Sequence, residues 1–191
     1  MTVETPWGYT VDELPPMVSV EDFRSLFPDY AATDDQIEAV LASTSAAIRD
    51  YCGWHVAPTL QCTYTGDGEG AMLILPAMGV SSVESLTVSG NAITGYEWKA
   101  NGLLRLVGSR FPDSWRSVVC TYTAGFSGAS VAQVVAQIAS NALAGAAGVA
   151  SETAGGVSIS YNRTADGVSG GVSLLPRDKE MLQAYRLVRA W

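Results

Sequence analysis

The chain has 191 residues, enough for one domain with a sizeable core and an additional lobe. Hydrophobic residues make up 48% of it but charged residues only 16%, against about 25% in an average soluble protein. We therefore expect neighbouring subunits to cover part of its surface, although a surface rich in Gly, Ala and Ser would also lower the charge. The net charge of -8 arises within residues 1–50, which argues against tight nucleic-acid binding; a solvated acidic face would explain the same excess.

Residues 1–18 are predicted to form an extended arm, because three prolines prevent regular structure and Trp7 and Tyr9 can anchor it. The start of the chain lacks the basic residues and apolar core of a signal peptide. The uncharged region 117–151 is interrupted by glycine, glutamine and asparagine, so we expect no membrane span. Three cysteines without a secretion signal indicate reduced thiols in a cytosolic protein.

Two capped helices are predicted after the arm. Ser19 caps a short helix that ends before Pro28. Thr33 and Gln36 form a capping box, and apolar residues at helical spacing continue from there to Gly53, which ends the second helix.

The hydrophobic period changes to two between Pro58 and Gly125. This pattern predicts five or six short strands of an antiparallel β module. The stretch "GDGEG" at residues 66–70 is predicted to be a hairpin turn, and a second turn is predicted at Gly90-Asn91.

The sequence "CTYT" occurs at residues 62–65 and again at 120–123. In each copy the cysteine and tyrosine share one face of a strand and the threonines share the other. A zinc site would instead have to recruit four scattered ligands, namely Cys52, His55, Cys62 and Cys120. Because these residues lack the paired spacing of zinc knuckles, we predict two strands and no metal site.

The sequence offers no catalytic candidate. His55 is the only histidine, and its place between Trp54 and Val56 indicates a structural role. The stretch "GFSGA" lacks the final glycine of a nucleophile elbow, and "GDGEG" lacks the lysine of a phosphate loop. We therefore expect neither an enzyme nor a bound cofactor.

Helix is predicted to return at Ser130, which is placed to form a capping box with Gln133. An uncharged polar stripe of Gln133, Gln137 and Asn141 runs along this helix beside its apolar face. Residues 145–174 are rich in Gly, Ala and Ser.

The region beyond the third helix contains a predicted hairpin at residues 157–174. Pro176 then opens a last helix, which continues to Trp191.

These elements predict an α+β fold, in which a small helical bundle carries an inserted antiparallel β module and a C-terminal docking helix. Six segments follow in chain order: an extended arm (1–18), the first helical part (19–57), the β insertion (58–127), the second helical part (128–145), a Gly/Ser-rich loop or hairpin (146–174) and the C-terminal helix (175–191).

Four stretches carry a likeness to a known family: "IRDYCGWHV" at the end of an acidic helix, "LPAMGVSSVESLTVSGNAIT" with "YEW" and "GLLRL", "FPDSWRSVVCTYTAGF", and "LLPRDKEMLQAYR". Their order resembles that of the head–tail connector, or adaptor, proteins of long-tailed bacteriophages, in the form common in actinobacteriophages. The likeness covers residues 19–191 and leaves the arm outside.

The resemblance implies a ring, usually of twelve copies, docked beneath the portal protein at the capsid vertex. Such a ring extends the channel for double-stranded DNA without binding it specifically, and it offers a platform to the next neck or tail-completion protein. The resemblance also implies a location in the virion neck, with assembly in the host cytoplasm.

In this family the C-terminal segment commonly reaches the portal. Transferred to this chain, the portal-binding residues are Met181, Leu182, Tyr185, Arg186, Val188, Arg189 and Trp191. Their helix either folds on docking, after swinging on the Gly/Ser-rich stretch before it, or packs on its own subunit.

The third helix is the candidate for contact between subunits, through small and amide side chains at Ala132, Gln133, Ala136, Gln137 and Asn141. Without the family likeness, an ordinary core helix would be the more direct interpretation. The alternative for the whole chain is a monomeric β-rich module that binds carbohydrate or peptide through surface aromatics at Trp54, Trp98 and Trp115.

Overall fold

The computed structural model describes residues 2–146, 151–154, 157–160 and 172–187. Its elements in chain order are β1 (Val3–Glu4), β2 (Tyr9–Val11), α1 (Val20–Leu26), α2 (Asp34–Cys52), β3 (Leu60–Gly70), β4 (Met72–Ile74), β5 (Ser82–Val88), β6 (Asn91–Ala92), β7 (Tyr96–Trp98), β8 (Leu103–Leu106), β9 (Phe111–Ala124), α3 (Ala129–Ala146), β10 (Ser151–Ala154), β11 (Val157–Ser160), α4 (Pro176–Leu182) and a 3-10 turn (Gln183–Tyr185). The predicted α+β class is confirmed.

The chain divides into two compact units. The β unit contains Met1–Pro15, Cys52–Ser127 and Tyr185–Trp191, and the helical unit contains Pro16–Tyr51 and Gly128–Ala184. None of the helices in the described ranges combines the length and apolar character needed to cross a bilayer.

The helical unit begins as the capping signals predict. Ser19 Oγ accepts a hydrogen bond from the backbone N–H of Asp22 at the start of α1. At the start of α2 the backbone N–H of Thr33 donates to Gln36 Oε1 (3.0 Å), and that of Gln36 donates to Thr33 Oγ1 (3.3 Å). This reciprocal pair is the predicted capping box. The helix ends before Gly53, whose φ of 77° is the left-handed geometry expected there.

Arg24 ties α1 to the start of α2. Its guanidinium forms an ion pair with Asp34 (2.9 Å) and donates to the carbonyl oxygen of Tyr30 (2.8 Å). The Tyr30 hydroxyl in turn donates to the carbonyl oxygen of Ser140 in α3 (2.6 Å). Polar contacts thus link three helices around a core that includes the fully buried Phe23.

The β unit contains two antiparallel sheets. The larger has the order β1-β2-β3-β9-β5-β6 and the smaller the order β4-β8-β7. β9 is the longest strand, with 14 residues, and pairs with both β3 and β5. It is therefore the centre of the larger sheet.

The N-terminal arm contains regular structure that the prolines were not expected to allow. β1 and β2 form a hairpin, and β2 continues the larger sheet by pairing Tyr9 with Tyr64 and Val11 with Cys62. Tyr9 and Val11 are buried. The arm is ordered because these two side chains fill the core, and its prolines lie outside both strands.

The prediction of a hairpin turn at "GDGEG" was wrong. These residues continue β3, which pairs with β9 through two register shifts, at Gly66/Gly68 and at Gly68/Gly70. A Cβ on Gly68 would lie only 2.7 Å from the carbonyl oxygen of Pro112, so the glycine permits a close approach of two strands. Glycine-rich sequence here marks β-bulges rather than a chain reversal.

The second predicted turn lies one residue earlier than expected. Ser89 and Gly90, with φ of 51° and 78°, form the reversal between β5 and β6, and Asn91 is already in β6. Positive φ at both central residues is typical of a type I′ hairpin.

Three boundaries differ from the predictions in the last part of the chain. α3 begins at Ala129, where the N–H of Ala132 donates to the carbonyl oxygen of Gly128, so Ser130 lies inside the first turn instead of capping the helix. The hairpin β10–β11 lies earlier than the predicted one, and residues 161–171 are outside the described part. α4 starts at Pro176 as predicted but ends at Leu182.

Candidate interaction surfaces

The two "CTYT" copies are neighbouring strands that pair with each other. Cys62 lies opposite Tyr122, Thr63 opposite Thr121, and Tyr64 opposite Cys120. The prediction of two strands is confirmed, and their direct pairing is a feature that sequence reasoning missed. Cys62 and Cys120 are fully buried, and this burial raises the pKa of each thiol to about 12. Such thiols behave as small apolar side chains rather than as reactive groups.

His55 is a buried structural residue. Its Nε2 lies 3.0 Å from the carbonyl oxygen of Ala124, and its Nδ1 lies 2.8 Å from the hydroxyl of Tyr9. A carbonyl oxygen only accepts, so Nε2 carries the proton and Nδ1 accepts from Tyr9. The Tyr9 hydroxyl also accepts from the His55 backbone N–H (3.0 Å). The imidazole thus joins the first strands of the β unit to the end of β9.

The four ligands considered for zinc do not form a metal site. Cys52, His55, Cys62 and Cys120 are all fully buried in the chain. Within the described ranges, no three His, Cys, Asp or Glu side chains lie close enough to share a metal ion. The geometry of these residues is that of core packing.

The three tryptophans proposed for a binding module have different environments. Trp54 is fully buried, and its Nε1 donates to the carbonyl oxygen of Tyr185 (2.6 Å). Trp98 on β7 is 37% exposed, and Trp115 on β9 is 88% exposed. The prediction of Trp54 as a surface aromatic was therefore wrong, because its ring belongs to the core.

Trp115 is presented by an ordered bulge. Between the pairs Gly66–Val118 and Gly68–Ser114, three residues of β9 face one residue of β3. The backbone N–H of Arg116, which has a φ of 51°, donates to the carboxylate of Asp67 (2.7 Å). The bulge thus places the exposed indole of Trp115 at the surface of the sheet.

The outer side of the larger sheet carries a row of hydroxyl groups. Residues paired across antiparallel strands share a face, and the opposite face of this sheet is its buried side. Its half-buried threonines form what we call the threonine face: Thr10, Thr63, Thr65, Thr87, Thr121 and Thr123. The alternating threonines of "CTYT" were the sequence signal for it, but strands that are distant in sequence had to be placed side by side before a surface became visible.

Glu84 is a carboxylate at the border of the threonine face. It lies at a register shift in β5 and accepts a hydrogen bond from the hydroxyl of Thr123 (2.7 Å) and another from Ser82. Burial raises the pKa of Glu84, but these hydrogen bonds outweigh burial and lower the pKa below its ordinary value. The carboxylate is therefore an ionised acceptor at neutral pH.

The polar stripe of α3 is exposed, as its sequence pattern indicates. Gln133, Gln137 and Asn141 are exposed, and the Gln137 amide donates to Asn141 Oδ1 (3.3 Å). Ala132 is half-buried, whereas Ala136 is fully buried. Ala136 is therefore a core residue of its own chain, while the three amides, here called the amide stripe, remain accessible.

The C-terminal segment packs on its own chain. Leu182 is only 2% exposed, the Tyr51 hydroxyl donates to the carbonyl oxygen of Lys179 (3.2 Å), and the Leu187 N–H donates to the carbonyl oxygen of Cys52 (2.9 Å). The Tyr185 ring lies 5.3 Å from that of Phe126. The interpretation that this helix folds only on docking was wrong, since Leu182 and Tyr185 already pack against other parts of the chain.

The predicted portal-binding residues are thus not equally accessible. Met181 is 37% exposed and Arg186 is exposed, whereas Leu182 is buried and Tyr185 is half-buried. The remaining three, Val188, Arg189 and Trp191, lie outside the described residues.

The chain matches a known protein family over most of its length. The sequence profile of the head completion protein family matches residues 17–188. No curated protein sequence matches the chain.

Chains in solved structures of gene transfer agent (GTA) particles have a similar fold. One is a chain from the "neck of empty GTA particle computed with C6 symmetry", with 18% identity, a TM-score of 0.60, and coverage of 100% of this chain and 97% of that one. A chain from the "virion of native gene transfer agent (GTA) particle" gives 18% identity, a TM-score of 0.62 and coverage of 96% and 97%. A chain from the "neck of native GTA particle computed with C12 symmetry" has 17% identity and a TM-score of 0.56. The match covers 100% of this chain and 97% of that one.

Proposed function

The chain belongs to the head completion protein family, a head–tail connector-type family of structural virion proteins, and we propose that it forms a ring beneath the portal of a tailed phage. In this role the ring extends the DNA channel and offers a docking platform to the next neck or tail protein. The observation that carries the proposal is the family match, because it spans residues 17–188 and covers most of both compact units.

A ring of twelve copies is the arrangement we propose. Two of the similar chains belong to GTA necks computed with C6 and with C12 symmetry. The low charged fraction of this chain, 16%, fits a protein whose surface is partly covered by its own copies. Exposed uncharged groups on α3 and on the larger sheet supply surface for such contacts.

The acidic balance of the chain suits a channel that DNA passes through. Ten acidic and two basic residues lie within residues 1–50, and the net charge of the chain is -8. Phosphates are held by clustered lysine and arginine, so an acidic wall repels DNA and lets it slide. We propose that the ring contacts passing DNA without specific binding.

The portal contact is proposed for the outward part of the C-terminal segment. Met181 is exposed on α4, and Arg186 is exposed just beyond the 3-10 turn. Because Leu182 is buried in its own chain, it positions α4 rather than meeting the partner. The segment therefore docks as a preformed element, which reduces the ordering cost of binding.

Reconstitution with the portal protein of the same phage tests the function. We expect native mass spectrometry of the mixture to give a complex of the portal with a closed ring of this chain, located in the neck of the virion after assembly in the host cytoplasm. A chain that remains monomeric and unbound at micromolar concentrations of both proteins would contradict the proposal.

A further inference from the structure

We propose that the ring closes by contact between the threonine face of one copy and the amide stripe of the next. The inference rests on the proposed ring and adds the two surfaces that form its subunit interface. The occupant of each surface is thus a second copy of this chain.

The threonine face is suited to a polar but uncharged partner. Its hydroxyls both donate and accept hydrogen bonds, and their β-branched stems form a regular surface on a rigid sheet. At the centre, the Thr63 and Thr121 oxygens lie 3.5 Å apart on paired strands. At the border, the ionised carboxylate of Glu84 is an acceptor for an amide N–H.

The amide stripe offers the complementary groups. Each of Gln133, Gln137 and Asn141 carries a carbonyl oxygen and an NH₂ group, so the stripe can donate to hydroxyl and carboxylate oxygens and accept from hydroxyls. The three residues are exposed and stand at spacings of four along α3, which places them on one side of the helix. The stripe can therefore lie along a strand-like row of hydroxyls.

Ring symmetry requires two different surfaces on each copy. A cyclic ring with more than two members uses heterologous contacts, in which one patch meets a different patch of the neighbour. The threonine face belongs to the β unit and the amide stripe to the helical unit, so they are distinct patches of one chain.

Electrostatics favours the same two patches. Each copy carries a net charge of -8, so contacts between charged surfaces of identical chains bring like charges together. The threonines and the amides are neutral side chains. The carboxylates beside the threonine face are Glu84, for which an amide N–H is a favourable neighbour, and the exposed Glu4, which pairs with Thr10 at the other edge. Because the amide stripe itself carries no charge, two copies can approach here without bringing two acidic side chains together.

Cysteine cross-linking tests the contact directly. Thr121→Cys is combined in turn with Gln133→Cys, Gln137→Cys and Asn141→Cys, and each double variant is treated with a short bis-maleimide in the portal-bound ring. We expect at least one pair to give a covalent ladder of multimers on denaturing gels. The native cysteines should not react with the cross-linker, because they are fully buried and burial raises their thiol pKa values to about 12.

Single variants and a misplaced pair are the controls. Thr121→Cys alone should stay monomeric on the gel, since a dimer would mean a symmetric contact between two threonine faces. Thr121→Cys with Ala42→Cys, at an exposed position of α2, should also give no ladder. A portal-bound ring in which none of the three pairs cross-links would overturn this inference alone. A wild-type chain that forms no ring would overturn the proposed function, and the inference with it.

Discussion

At the scale of single residues, the potentially reactive side chains of this protein are part of its core. The side chains that first suggest metal or acid–base chemistry, His55 and the three cysteines, are all fully buried. His55 satisfies both ring nitrogens within the chain, at Tyr9 and Ala124. Sequence reasoning predicted the structural role of His55 from its apolar neighbours, but Tyr9 is 46 positions away and no local pattern could identify it as the partner.

The Tyr9 hydroxyl supports a testable claim about stability. Tyr9→Phe removes the hydroxyl that bonds to the His55 backbone N–H and Nδ1 inside the core, and removing a partner from a buried polar group costs about 1–3 kcal/mol. We expect urea unfolding to show a loss of about 1–3 kcal/mol. Tyr96→Phe, which removes one half-buried hydrogen bond to the carbonyl oxygen of Val83, is the matched control and should cost less. Equal stability of Tyr9→Phe and the wild type would mean that the hydroxyl is not needed.

At the scale of elements, local signals predicted those boundaries that depend on nearby residues, and failed where the cause lies elsewhere in the chain. The capping groups at Ser19 and Thr33 and the proline at 176 start helices as expected, because each acts through atoms within three residues. The glycines of β3 were misread as a turn, since their reason for being there is the backbone of β9, some 45 residues later. The segment from α4 to Leu187 contacts Tyr51, Cys52 and Trp54, and no local pattern contains these partners.

Two neighbouring residues of α4 allow an effect on stability to be measured separately from an effect on portal binding. Leu182→Ala removes a buried side chain and should lower the free energy of unfolding by about 2–5 kcal/mol. Met181→Ala removes an exposed side chain, so it should leave stability within about 0.5 kcal/mol of the wild type. If Met181 meets the portal, the same variant should weaken portal affinity about tenfold, or about 1.4 kcal/mol. Thermal melts and titration of the portal by calorimetry measure the two effects, and unchanged affinity of Met181→Ala would remove Met181 from the proposed contact.

At the scale of the whole molecule, the class of fold and the family could be predicted from the order of segments, whereas the surfaces could not. The α+β class follows from a change of hydrophobic period at Pro58 and back near Ser130. The threonine face needs the four strands β2, β3, β9 and β5 to lie side by side, and only the tertiary structure supplies that order. The amide stripe was predictable because one helix contains it, while Ala136 on the same helix faces the core.

The most direct test of the central claim is cryo-electron microscopy of the phage particle that carries this protein, with the neck reconstructed at a resolution that distinguishes helices from strands. We predict a closed ring of this chain directly beneath the portal, with both compact units recognisable in every copy and DNA passing through the centre. A neck without density for the chain, or particles in which it occurs as isolated copies away from the portal, would contradict the account.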